Sequence, residues 1–275
     1  MSRITQAVML LSLCIVLQFL ATSDSYQSEI MNYAPEAPAK QIGSAPVDVE
    51  ATGMKTKNEK YYDTAYQKWQ LSANKFGAIY KKRYWRDYIQ ASFKCVEFGS
   101  SSGYILQSMP CAENVGIELN DAAREYSQQV LKLKAVQRTA ELPTNYFDFV
   151  FSTSVLEHVE CPICEIRGLY ALLKKGGILS ITTPGQAKRS SQWKDKDVNF
   201  EFQMYGGLEL GNILTAAGFT VDKNRCSSEM TQWPENAEKV YQDMGSDLDK
   251  FIQFAKEYAP KHNQLVTTWC VGTKK

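Results

Sequence analysis

The sequence predicts an α/β fold, a mostly parallel sheet with helices on both faces. Two observations carry that reading. From Lys94 onward, short apolar runs alternate with longer amphipathic ones, and strands separated by helices imply right-handed crossovers into a parallel sheet. Acidic residues and glycines also fall where successive strands end, the edge at which open α/β sheets take their ligands.

Taken in chain order, Val8 to Leu20 reads VMLLSLCIVLQFL, apolar but for Ser12, Cys14 and Gln18, with Arg3 before it. Its length suits a signal peptide, and Ala21, Thr22, Ser23 and Ser25 are small enough for cleavage. With its flanks, residues 4–21 approach the roughly 20 needed to cross a bilayer, so a retained membrane anchor is the alternative. Residues 1–25 therefore predict the secretory pathway or endomembrane, with an organelle-directed presequence as a third reading. Residues 26–57, with Pro35, Pro38 and Pro46 among small and polar residues, read as a flexible linker. A single domain is expected over residues 58–275.

From Glu59, aromatic residues including Tyr66, Trp69, Phe76, Tyr80, Tyr84 and Trp85 recur at helical spacing between lysines and arginines. This predicts one or two amphipathic helices packing on the sheet. Strands are expected at Lys94–Phe98, Asn114–Leu119, Ala135–Gln137, Phe147–Phe151, Ile178–Thr182, Phe219–Val221 and Val266–Val271. Helices are expected at Tyr104–Met109, Ala122–Leu133, through Leu156, at Ile166–Leu173 and at Leu208–Ala217.

Composition excludes some partners. With 31 basic and 30 acidic residues the net charge is +1, so no strong field gathers phosphate backbones and no nucleic-acid partner is expected. Seven cysteines in 275 residues are too sparse for a disulfide scaffold. Cys161-Pro162-Ile163-Cys164 lacks the further ligands a zinc site needs; a thioredoxin-like redox motif opens a helix directly after a strand, whereas a turn over Val155 to Val159 is expected to intervene here, so the pair reads as a disulfide or as two structural thiols. Cys95 and Cys270, in expected strands, read as buried thiols.

The chemistry-bearing residues cluster at strand ends. Cys95-Val96-Glu97-Phe98-Gly99-Ser100-Ser101-Ser102-Gly103 puts an acid and two glycines where the first strand turns into a helix, and glycine lets the backbone approach a ligand. A dinucleotide fingerprint requires a third glycine that this loop lacks. Glu118 follows Val115-Gly116-Ile117 at the second strand end, where an acid can accept from both hydroxyls of a ribose. Ala140-Glu141 follows the third strand, and Ser152-Thr153 the fourth. Taken singly, a glycine-serine loop is usually a turn and a lone acid a solvated residue or helix cap; their order argues otherwise.

Together VEFGSSSG, VGIELN, TAELP before FDFVFSTSVLEHV, LLKKGGILSITTP and LGNILTAAGF resemble the class I S-adenosylmethionine-dependent methyltransferases, particularly the type 11 methyltransferase-like group, over about Glu59 to Lys275. The resemblance implies a Rossmann-like seven-stranded methyltransferase fold and S-adenosylmethionine as cofactor. It implies that Glu97 orients the loop and the amino group of the cofactor's methionine part, with Gly99, Ser101 and Gly103 giving backbone access. Glu118 would hold the ribose hydroxyls, Ala140 and Glu141 would lie beside the adenine, and Ser152 and Thr153 would face the donor methyl group. Where the family often has a third glycine, Ser101 stands.

Some relatives in the superfamily bind metal through Glu-x-x-Glu-His. Here Ser154 replaces the first acid before Glu157-His158, so no metal is expected. His158 is a candidate general base for a small-molecule acceptor, or a histidine that bonds locally. The expected acceptor pocket uses the aromatic amino-terminal helices and residues 185–207, with Trp193, Phe200, Phe202 and Tyr205, aromatics that equally suit a hydrophobic lid without selectivity. A non-catalytic module of the same fold and an NAD-dependent oxidoreductase are the rival readings.

Overall fold

The computed structural model describes residues 76–185, 201–230, 232–262 and 266–275. The predicted targeting segment, the linker, the aromatic positions before Phe76, and Trp193 and Phe200 lie outside these residues.

Seven strands form one sheet in the order β3-β2-β1-β4-β5-β7-β6. They are β1 (Lys94–Phe98), β2 (Glu113–Ile117), β3 (Lys134–Val136), β4 (Phe147–Thr153), β5 (Leu173–Pro184), β6 (Phe219–Met230) and β7 (Val266–Lys274). β1 pairs in parallel with both β2 and β4, and β7 runs antiparallel between β5 and β6. The strand order reverses between β1 and β4, which makes their carboxyl ends the crevice of the sheet.

β4 lies near the middle of the sheet, and its sequence FDFVFST shows it. Phe147, Phe149, Val150 and Phe151 are all 0% exposed, the near-continuous apolar run of a strand covered on both faces. Its two faces feed different cores. Phe147 and Val150 join Val96, Val115, Ile166, Leu169 and Leu179, whereas Phe149 and Phe151 pack with Cys95, Leu106, Tyr84 and Trp85.

Among the described residues after position 81, six α-helices connect or cover the strands: α1 (Tyr104–Ser108), α2 (Asp121–Gln129), α3 (Pro162–Leu172), α4 (Gly207–Ala216), α5 (Ala237–Asp243) and α6 (Leu248–Tyr258). α2 starts where it does because the Asn120 side chain accepts from the Ala123 N–H at 3.0 Å, a side-chain cap on otherwise orphaned amides. Residues 76–81 are helical, and their aromatics divide between two partners. Phe76 and Tyr80 join Trp233, Tyr241 and Phe251 from the C-terminal region. Tyr84 and Trp85 instead pack on the sheet, and the Ser180 hydroxyl donates to the Tyr84 carbonyl at 2.7 Å.

Several boundaries differ from those read in the sequence. β6 continues to Met230, well past Val221, because as an edge strand it pairs on one side only and carries mostly exposed, polar side chains. Leu173 begins β5 and does not end α3, and the segment through Leu156 is a 3-10 turn, Leu156–His158. α5 and α6 were not foreseen.

The cysteine reading changes most. Cys95 is bonded to Cys111 and Cys270 to Cys226, so neither is the free buried thiol expected, and Cys161 is bonded to Cys164. The reason lies in the register. Cys226 and Cys270 are direct cross-strand partners on β6 and β7, a relation invisible until β6 is extended. The Cys95–Cys111 bond closes the stretch that holds the glycine loop and α1.

Candidate functional site

Glu97 stands one residue before the end of β1, 1% exposed. Its carboxylate accepts the Leu106 N–H of α1 at 3.0 Å. Burial pushes its pKa up to about 8; nearby Lys81 and the Leu106 amide pull the other way, while Glu118 adds to the rise.

After Phe98 the chain turns through Gly99 (φ 71°), Ser101 (φ 48°) and Gly103 (φ 89°). Alternate residues in the left-handed region coil the loop tightly. The Gly99 and Ser100 amides both donate to the Ile117 carbonyl, at 2.8 and 3.1 Å, and the Gly103 amide donates to the Ser100 carbonyl at 2.8 Å. A methyl group at Gly99 would collide with Val155, and one at Gly103 with Leu133 and Ser127. Glycine is required at both positions twice over, for backbone angle and for space.

At Ser101 the angle is demanding as well. An L-residue held left-handed costs roughly 1–2 kcal/mol, offset in part by the smaller entropy a serine loses on folding. Ser101→Gly relieves that angle but gives up the serine's own contacts, so it is expected to leave the fold intact and change its stability by no more than about 1 kcal/mol, read from denaturant unfolding. A larger fall in the midpoint would show that those contacts outweigh the angle.

Glu118 follows β2 and its carboxylate is fastened from two sides. It accepts the Ser101 N–H at 2.6 Å and the Asn120 N–H at 2.8 Å. Burial raises its pKa, while these amides and Arg124 oppose the rise. Two acids from two strand ends are thus brought together around one loop. Ala140 and Glu141 sit exposed on the 3-10 turn Thr139–Glu141 after β3. The Glu141 carboxylate accepts the Gln137 and Arg138 amides at 3.0 and 2.7 Å, capping its own turn.

At the end of β4, Ser152 is 0% exposed and its hydroxyl donates to the Phe98 carbonyl at 3.0 Å. Its side chain therefore ties β4 to β1, and only its backbone borders the crevice. Thr153 accepts from the Thr182 hydroxyl at 2.9 Å. His158 closes the following 3-10 turn, with Nε2 3.6 Å from Glu157 Oε1. Glu157 is 1% exposed, and the Phe202 N–H donates to its carbonyl at 2.8 Å.

That last bond draws Glu201 in, so that ligand atoms of Glu157, His158 and Glu201 lie within 4.8 Å of one another. A histidine and two carboxylates match the number of protein ligands a catalytic zinc site takes, so the fold sets beside Glu157 and His158 a third possible ligand that the local sequence does not show. Tyr205, 2% exposed, lies close enough to Glu157 that burial and this carboxylate raise its pKa to about 12. Lys81 was missed in the sequence. Burial lowers its pKa, opposed by the charges of Glu97 and Glu157. No local pattern reveals it, since its neighbours are far away in sequence.

A family model described as a methyltransferase domain matches residues 57–224. The chain belongs to the methyltransferase family. The seven-stranded, mostly parallel sheet with helices is the Rossmann-like fold of its class I, S-adenosylmethionine-dependent branch, whose cofactor is S-adenosylmethionine.

Among solved structures, this methyltransferase is similar to an S-adenosylmethionine-dependent methyltransferase from Thermotoga maritima at 18% identity and a TM-score of 0.53, over 79% of this chain and 98% of that one. It is also similar to a methyltransferase from Haloferax volcanii solved with its activator protein, at 14% identity and a TM-score of 0.51, over 76% of this chain and 96% of that one. A phosphoethanolamine N-methyltransferase from Haemonchus contortus, solved with phosphomonomethylethanolamine and S-adenosylhomocysteine, matches at 16% identity and a TM-score of 0.47 over 74% of this chain. The present chain spans 58% of that enzyme's length. No curated protein matches the chain.

Proposed function

We propose that the protein transfers a methyl group from S-adenosylmethionine to a small-molecule acceptor. The observation that carries this is the Glu118 carboxylate, seated on the glycine loop with Glu97 buried behind it. The donor set fits the cofactor. A carboxylate at the second strand end accepts from vicinal ribose hydroxyls, and acids favour the cationic amino and sulfonium centres of the methionine part. It does not fit a pyrophosphate, because Glu118 already takes the Ser101 amide that a dinucleotide site would turn to phosphate.

When bound, S-adenosylmethionine supplies a methyl group already activated by its sulfonium. The protein's own task is then alignment and exclusion of water. Gly99, Ser101 and Gly103 give backbone approach, Ala140 and Glu141 border the adenine, and the Ser152–Thr153 backbone borders the donor methyl. His158, held beside Glu157, takes the proton of an acceptor hydroxyl or amine. The proposed compartment is an oxidising one, the secretory pathway, supported by three intrachain disulfides of a kind that cytosolic thiols would keep reduced.

Calorimetric titration with S-adenosylmethionine, S-adenosylhomocysteine and NAD tests the cofactor. The first two are expected to bind and NAD not. NAD binding alone would overturn the reading, and absence of all three would favour a module that keeps the fold without the activity. His158→Gln is expected to lower kcat with S-adenosylhomocysteine affinity unchanged, by about 10²-fold or more for an acceptor that must lose its proton.

A further inference from the structure

We propose that Cys161 and Cys164 form a thiol–disulfide exchange site whose partner is a dithiol, a chemistry separate from methyl transfer. α3 opens directly on Cys161, whose carbonyl accepts the Cys164 and Glu165 amides at 3.0 and 3.2 Å. Both sulfurs therefore sit on the first turn of an 11-residue helix. There the aligned peptide dipoles favour a thiolate, and hence the leaving group that reduction needs.

Exposure separates this pair from the other two. Cys161 and Cys164 are both exposed, whereas Cys95 and Cys270 are each 0% exposed. An attacking thiolate must reach a disulfide sulfur directly, and only here are both residues open to solvent. Loop length points the same way. The pair spans a sequence separation of 3, against 16 for Cys95–Cys111 and 44 for Cys226–Cys270. A short loop restrains the unfolded chain least, so opening it costs the fold least. α3 is held independently by Ile166 and Leu169, both 0% exposed, and buried Pro162 fixes its first turn. The helix therefore survives reduction.

One thiolate of the dithiol attacks a sulfur of the pair, forming a mixed disulfide and releasing the other cysteine as a thiolate. The partner's second thiolate then attacks the partner sulfur of that mixed disulfide. The products are two cysteine thiols and an oxidised partner, so two electrons pass from the dithiol to the pair, and its two protons end on Cys161 and Cys164. The reverse reaction oxidises a partner thiol pair.

The test exposes the intact protein to graded dithiothreitol redox buffers, followed by alkylation and peptide mass mapping. Cys161 and Cys164 are expected to be reduced at least about tenfold faster than the other four bonded cysteines. Reduction of all three pairs together, or of this pair last, would overturn the proposal. A second readout uses Cys164→Ser, with folding checked by thermal melt. Incubated with oxidised glutathione, it is expected to gain one glutathione at Cys161; a folded variant that gains none overturns the proposal. Neither readout depends on methyl transfer, so failure here leaves the proposed activity intact.

Discussion

Replacing Glu118 with alanine is expected to weaken S-adenosylhomocysteine binding by about a hundredfold while leaving a folded protein. A hydrogen bond to a charged partner contributes about 1.5–3 kcal/mol, and each 1.4 kcal/mol is tenfold in affinity. The proposed contact to two ribose hydroxyls therefore accounts for a factor of this size. The carboxylate also accepts the Ser101 and Asn120 amides at 2.6 and 2.8 Å. Removing it leaves those donors to water, so the loop keeps only its Gly99 and Ser100 bonds to the Ile117 carbonyl of β2 and the ribose loses its acceptor.

Glu118→Gln separates the two contributions. Its amide oxygen can still take one backbone N–H, but it holds no charge and has one acceptor atom where two are needed. An intermediate loss of affinity is expected, with unfolding close to that of the parent protein. Calorimetric titration and denaturant unfolding of both variants decide the matter. Undiminished affinity in folded Glu118→Ala would remove Glu118 from the cofactor site.

What the sequence reveals of this site follows from how local each contact is. Glu97, the glycine loop and Glu118 are legible because β1, the loop, α1 and β2 are consecutive, and parallel pairing of β1 with β2 brings Glu118 onto the loop with no further information. The trio of Glu157, His158 and Glu201 is half legible. Its first two members are adjacent, but Glu201 arrives through a backbone bond from Phe202 to Glu157 that no periodicity encodes. Ser152 shows the opposite failure, since its place at a strand end was readable and the commitment of its hydroxyl to Phe98 was not.

The same division holds for the fold. β4 announces itself as a run of buried aromatics, whereas β6 past Val221 reads DKNRCSSEM and has no alternation to betray it. Edge strands are specified by pairing as much as by burial. α6 was within reach. Asp247 caps it by accepting the Asp249 and Lys250 amides, and Leu248, Phe251, Ile252 and Ala255 follow at helical spacing. Its aromatic packing with Phe76 and Tyr80 was not, because it joins the two ends of the domain.

Glu97 provides the second large effect, a dependence on pH. Its pKa stands at about 8 in the folded protein against a usual 4.5, so the folded state holds a proton that the unfolded chain has released across the interval between those values. Its contribution to stability is fully present below pH 4.5 and is lost progressively as the pH rises to about 8, by roughly 5 kcal/mol at most. Lys81 tempers the loss once Glu97 ionises, since the two charges then attract. Glu97→Gln keeps an acceptor for the Leu106 amide without the charge. It is expected to flatten the fall in unfolding free energy between pH 5 and about 8. A parent protein equally stable at both ends would place Glu97 back in the ordinary range.

The same proton connects stability to cofactor binding. A cationic amino group seated beside Glu97 favours its ionised form, so binding at pH 7 should expel a proton that the free protein holds. Calorimetric titration of S-adenosylhomocysteine at pH 7 in phosphate and in Tris, buffers of different ionisation enthalpy, is expected to give different apparent heats. In Glu97→Gln that difference should shrink, because the group that releases the proton is gone. Equal heats in both buffers for the parent protein would mean that the cofactor's charge does not reach Glu97, and its role would then be confined to holding α1 through Leu106.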